Sequence, residues 1–237
     1  MIINANLLEG ELGQKVFEEY QRTVQNEFPN RVVLESLAYE QGIVRNANTY
    51  SLILLNRVLE NFGYQLANLR DVEDVGSNIS LPSMFRYQTG LVINPSKAKQ
   101  YLTKDLISQI RVPDGRKLQG PIMISLRDLE LKLDGKASFA LAFALSPFAS
   151  TFASIIPAPE LDEKYDGYTF WKTDSNGLPV LNMMGRRTLH TKPIGESTGL
   201  YKVESQISEA DNKAQLFANE SRLEYAWNNP AVAVIRK

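Results

Sequence analysis

The sequence has no cysteine and a single histidine, His190, in 237 residues. The first absence excludes disulfides, thiolate zinc sites, iron–sulfur clusters and a cysteine nucleophile. The second leaves most serine–histidine and zinc mechanisms short of parts. Neither charge is in excess, with 26 Lys plus Arg against 27 Asp plus Glu. No global field therefore draws the protein onto nucleic acid or an anionic membrane, and such binding would require a local patch. The phosphate-cradling, dinucleotide, H-E-x-x-H and kinase signatures are missing. So are internal repeats, low-complexity tracts and Gly/Ser linkers. Residues 1–7 carry no basic segment followed by an apolar one, so no secretory signal is read and a cytoplasmic setting is expected.

What is present is the composition of a soluble globular protein, 43% hydrophobic and 22% charged. The length suits a single domain over 1–237, with a possible subdivision near 112–120. The expected class is α+β, with N-terminal helices and strand–helix–strand units, a hairpin-rich second half and a C-terminal helix.

Leu12, Val16, Phe17, Tyr20 and Val24 recur at helical spacing and predict an amphipathic helix over 8–27, ended by Pro29. The β-branched and aromatic run 32–39 reads as a strand. Asn48 can cap a helix whose face holds Leu52, Leu55, Leu59 and Phe62, with Gly63 as its stop. Residues 64–67 read as a short strand, and Asn68 as the cap of a short acidic helix. The pattern recurs as a strand over 85–93, a turn at Asn94-Pro95-Ser96, a helix through Ala98, Leu102, Leu106 and Ile110, and a strand over 121–126. Two such units suggest a partly parallel sheet covered by helices.

Alternation then replaces helical spacing. Leu129, Leu131 and Leu133 alternate with Glu130 and Lys132; Phe139, Leu141, Phe143 and Leu145 alternate with alanines; Asp134-Gly135 between them reads as a tight hairpin turn with positive φ. A second hairpin is expected to join 168–171 to 180–181 across Asp174-Ser175-Asn176-Gly177. Ser208 and Asp211 suit a helix start, and Leu216, Phe217, Leu223 and Trp227 give that C-terminal helix an apolar side. Residues 231–235 form a terminal strand that could complete a sheet, or offer its edge to a neighbour.

Candidate chemistry is sparse. Gly195-Glu196-Ser197-Thr198-Gly199 fits the spacing of a nucleophile elbow, which makes Ser197 a candidate nucleophile. The elbow needs a helix after the serine, yet the following residues alternate like a strand, and His190 lies upstream. Arg186, Arg187, His190 and Lys192 form the densest basic segment and are an anion-binding candidate; a solvated loop is the plainer account. Acidic clusters at 71–74 and 160–166 lack the ligand spacing of a calcium loop, so neither a metal site nor a cofactor is expected. Residues 137–159 hold no charge, but Pro147 and the strand alternation oppose a spanning helix.

These features favour a non-enzymatic intracellular protein that binds other proteins, a homo-oligomer or assembly subunit, without nucleic acid or membrane. The alternatives are a hydrolase using Ser197 or an acidic pair, and a membrane-active protein using 137–156.

Overall fold

The computed structural model describes residues 5–73, 81–110, 122–146, 156–157, 161–162, 168–169, 189–192, 199–207, 214–219, 222–226 and 230–237. Strand β1 (Asn6–Leu7) leads into helix α1 (Gly10–Glu27), which buries Val16 and Tyr20 and anchors the Tyr20 hydroxyl on the Leu34 carbonyl at 2.7 Å. The run 32–39 is not one strand. Its first part, Val32–Leu34, is a 3₁₀ turn that places Val33 and Leu34 in the core. Only Ala38–Glu40 (β2) extends, pairing with Ile43–Arg45 (β3) across Gln41 and Gly42, both at positive φ as a tight hairpin requires.

Helix α2 (Thr49–Glu60) begins at Asn48, whose side chain and that of Ser51 cap each other's backbone N–H groups. All of its residues except Arg57 and Glu60 are buried, so it is a central helix that meets solvent only along the side of those two. Strand β4 (Tyr64–Leu66) and helix α3 (Leu69–Glu73) follow, the latter started by reciprocal bonds between Asn68 and Asp71. Next come β5 (Tyr87–Ile93), a 3₁₀ turn over Pro95–Lys97 capped by Asn94, α4 (Tyr101–Gln109), and β6 (Ile122–Ser125).

The hairpin of β7 (Leu129–Leu133) and β8 (Leu141–Leu145) has the register Leu131 to Phe143. Its turn differs from the tight Asp134-Gly135 expectation. The loop spans 134–140, the Asp134 N–H bonds the Ala140 carbonyl at 3.0 Å, and the positive φ angles fall on Phe139 and Ala140. Phe139 consequently leaves the buried row and is 45% exposed, while Leu141 and Phe143 are fully buried.

Short strands β9 (Ile156–Pro157), β10 (Leu161–Asp162), β11 (Tyr168–Thr169) and β12 (Leu189–Lys192) precede the long β13 (Leu200–Ile207), β14 (Ala214–Asn219) and β15 (Ala233–Arg236). The large sheet runs β10-β12-β14-β13-β5-β6-β9, with β11 also on β14. Residues 214–219 are thus a strand where a C-terminal helix was expected. Cross-strand bonding to β13, β11 and β12 supplies partners that local helical spacing cannot anticipate. The strand–helix–strand units also do not build a parallel pair: β5 and β6 are antiparallel, and among the described strands the parallel pairs are β10 with β12 and β12 with β14. Residues 168–169 pair with 215–216; the rest of the second expected hairpin lies outside the described residues.

The large sheet separates two apolar clusters. Leu91, Ile93, Ile122, Ile124 and Leu200 face α2 and α4, whereas Tyr87, Val92, Met123, Tyr201 and Val203 meet Leu7, Val72 and Ile235 on the other side. The terminal strand does complete a sheet, but as its centre, in the order β1-β15-β4. Its edges are therefore both occupied, which corrects the expectation of an edge open to a neighbour.

Candidate functional site

Two regions gather polar or reactive side chains in unusual surroundings. The first lies on β13, where Lys202 and Glu204 point toward the α2 side of the sheet, two residues apart. Lys202 is 1% exposed, and its Nζ donates to the Tyr225 carbonyl at 2.5 Å. Burial pushes its amine down to about 8, against the attraction of Glu204 and Glu224. Glu204 meets Arg86 at 3.4 Å. Opposite it, Gln88 exchanges hydrogen bonds with Thr49 at the start of α2. Asn48 continues the network, donating to the carbonyls of Val33 at 2.7 Å and Glu224 at 3.2 Å.

An amine held near 8 can act as a nucleophile, but only where a substrate can reach it. Lys202 has no such access. Its bond to Tyr225, with the Thr49 N–H on the Leu223 carbonyl, pins the segment 222–226 between α2 and β13. The network is an internal clamp.

The second region is the β7–β8 hairpin with α4. The Gln109 side-chain amide donates to the Phe143 carbonyl and accepts from the Leu145 N–H, both at 2.9 Å, so it imitates a neighbouring strand and covers the outer edge of β8. Those bonds fix the ladder phase. Phe143 and Leu145 turn their backbone groups outward, so across the hairpin Leu131 and Leu133 do the same on β7, whereas Leu129 is buried with its N–H on the Leu126 carbonyl. Among the described residues no strand lies beyond β7. At the end of this edge Leu133 is 59% exposed, and the exposed Phe139 and Tyr101 lie at the turn, where the Tyr101 hydroxyl donates to Asp134 at 2.7 Å. On the strand's other face Glu130 is exposed and Lys132 pairs with Asp105 at 2.8 Å.

Of the residues singled out in the sequence, Ser197, Arg186 and Arg187 lie outside the described residues. His190 and Lys192 sit two apart on β12, at register positions opposite Asp162 and Asn219. Among the described residues, no three His, Asp or Glu side chains converge to hold a metal ion, and no helix is long and apolar enough to cross a membrane. Sequence reasoning missed Lys202 and Glu204; the available signal was two charges inside a strand whose neighbours Tyr201 and Val203 alternate with them. It also passed over the near-palindrome Leu129-Glu130-Leu131-Lys132-Leu133 as a mere hairpin arm. No family model, curated protein or solved structure matches the chain.

Proposed function

We propose that this chain is a non-enzymatic protein-binding or assembly subunit that engages another polypeptide along the outer edge of β7. A cytoplasmic setting belongs to the same proposal. The observation that carries it is the asymmetry of the hairpin: Gln109 covers the edge of β8, while among the described residues no strand pairs with the outer edge of β7 at Leu131 and Leu133, the latter 59% exposed. An open strand edge bonds an added strand through its backbone, and adjoining apolar side chains supply the burial that makes such pairing favourable. The hydrolase alternative, using Ser197 or an acidic pair, has no observation among the described residues that favours it. Against the membrane alternative, which rests on 137–156, Leu141 and Phe143 are already buried; residues 147–155 lie outside the described residues.

The test is a photo-crosslinking side chain placed at Leu133 and, as a control of comparable exposure elsewhere, at Val32. Discrete polypeptide adducts are expected from Leu133 and not from Val32. A variant that labels no polypeptide from Leu133 in living cells would sink the reading.

A further inference from the structure

We infer that the segment taken up at the outer edge of β7 is acidic, an extended polypeptide whose Asp or Glu side chains flank an apolar one; the inference deepens the protein-binding reading above and rests on it. The chain as a whole has no excess charge, so any electrostatic preference must be local. Such a local excess lies where the edge ends. The two stretches that meet there, 94–110 with α4 and 131–146 with the hairpin, contain five lysines and only two carboxylates, Asp105 and Asp134. Both carboxylates are already engaged. Asp105 holds Lys132 at 2.8 Å and the Gln109 amide at 2.9 Å. Asp134 accepts from the Tyr101 hydroxyl at 2.7 Å and from the Lys136 N–H at 2.9 Å.

The same bonds fix where the other cations stand. Asp134 ties Tyr101 to the backbone of Lys136, which brings Lys136 beside the tyrosine. Lys104 follows Tyr101 by three positions on α4 and shares its helix face, while Lys99 precedes it by two. Lys99, Lys104 and Lys136 are all exposed. The apolar groups at this end of the hairpin are Leu133 and Phe139, the latter turned out of the buried row by left-handed backbone at 139 and 140. Because Leu129 is buried with its N–H engaged, the ladder offered to a partner is confined to Leu131 and Leu133. So short a ladder carries little discrimination, and the lysines set the choice of partner. An anionic bilayer or a nucleic acid would answer the lysines but not the edge. In a bilayer the outward N–H and C=O groups of Leu131 and Leu133 go unpaired, and a nucleic acid has no strand to continue the ladder.

The experiment places the Leu133 photo-crosslinker, in living cells, in three backgrounds: wild type, Lys104→Glu with Lys136→Glu, and Lys104→Arg with Lys136→Arg. Peptide mapping of the adduct then reads the sequence around the captured position. In wild type that sequence is expected to be net acidic within about five residues on either side, the reach of a strand across this end of the hairpin. The Glu pair should lower the adduct yield about tenfold, and the Arg pair, which keeps both charges, should label like wild type. Both lysines are exposed, and if the Glu pair nonetheless lowers the urea midpoint, the mapped charge of the wild-type adduct decides alone. A neutral or basic captured segment, a folded Glu pair that labels as well as wild type, or an Arg pair that loses the label overturns the acidic partner and leaves the protein-binding reading standing. Label on lipid or nucleic acid instead of polypeptide, or no adduct at all, overturns both.

Discussion

A Cβ added at Gly90 would sit 2.7 Å from the Ile124 carbonyl oxygen, a backbone atom of the neighbouring strand that cannot swing aside. Gly90 also borders the irregularity where β5 offers Gly90 and Gln88 to the adjacent residues Val203 and Glu204, leaving Thr89 as the extra residue of a bulge. Gly90→Ala is expected to cost about 2 kcal/mol or more by overpacking the β5–β6 contact. Gly135 is the opposite case. It has open space around its Cα and no positive φ, so Gly135→Val should stay within about 0.5 kcal/mol of wild type. Urea midpoints of the two variants check the pair together, and a Gly135→Val loss equal to that of Gly90→Ala would restore the tight-turn reading the structure replaces.

At the scale of elements, the β7–β8 arms follow from alternation, but the loop between them follows from contacts outside the hairpin. The Phe139 ring packs edge-on against Tyr50 at 5.8 Å, and Asp134 is held by the Tyr101 hydroxyl and the Lys136 N–H. Those anchors offset the left-handed backbone at Phe139 and Ala140. The same Tyr50 lies 5.0 Å from the buried Phe143 ring, joining β8 to the central helix α2. Phe143→Ala should therefore cost about 3 to 5 kcal/mol through lost burial and a residual cavity. An unchanged urea midpoint in that variant, together with liposome co-sedimentation by wild type, would return the uncharged segment to a membrane role.

Across the whole molecule, the buried Lys202 couples stability to pH. Its amine falls from 10.5 in the unfolded chain to about 8 in the fold, so between those values the unfolded state binds more protons. Stability then rises with pH across that window, and below about pH 8 both states are protonated and the effect is flat. Tyr20, Tyr50 and Tyr87 act oppositely. Burial raises their hydroxyls, and the stability they contribute is lost as pH climbs past their unfolded value near 10. The expected signature is a gain of about 1 to 2 kcal/mol between pH 8 and about 9.5. Lys202→Met should abolish that slope, and parallel urea-midpoint curves for wild type and variant would refute the assignment.

The sequence by itself determined the mixed α+β class, helix α1 and helix α2 with its Asn48 cap, the arms of the β7–β8 hairpin, and the short capped helix after Asn68. Each depends on neighbours within a few residues: apolar spacing, a side chain that reaches its own backbone, or strict alternation. Only the tertiary structure decided that 214–219 extend, that β5 and β6 run antiparallel, and that the terminal strand sits between β1 and β4. A strand's partners lie far away in the chain, so its pairing leaves little local trace. The candidate site divides the same way. The Leu-Glu-Leu-Lys-Leu pattern is plain in the chain, but that β8 is the covered arm of the hairpin depends on Gln109, 36 positions before the Leu145 whose N–H it accepts. That Lys202 is buried depends likewise on α2 and the segment 222–226 closing over β13.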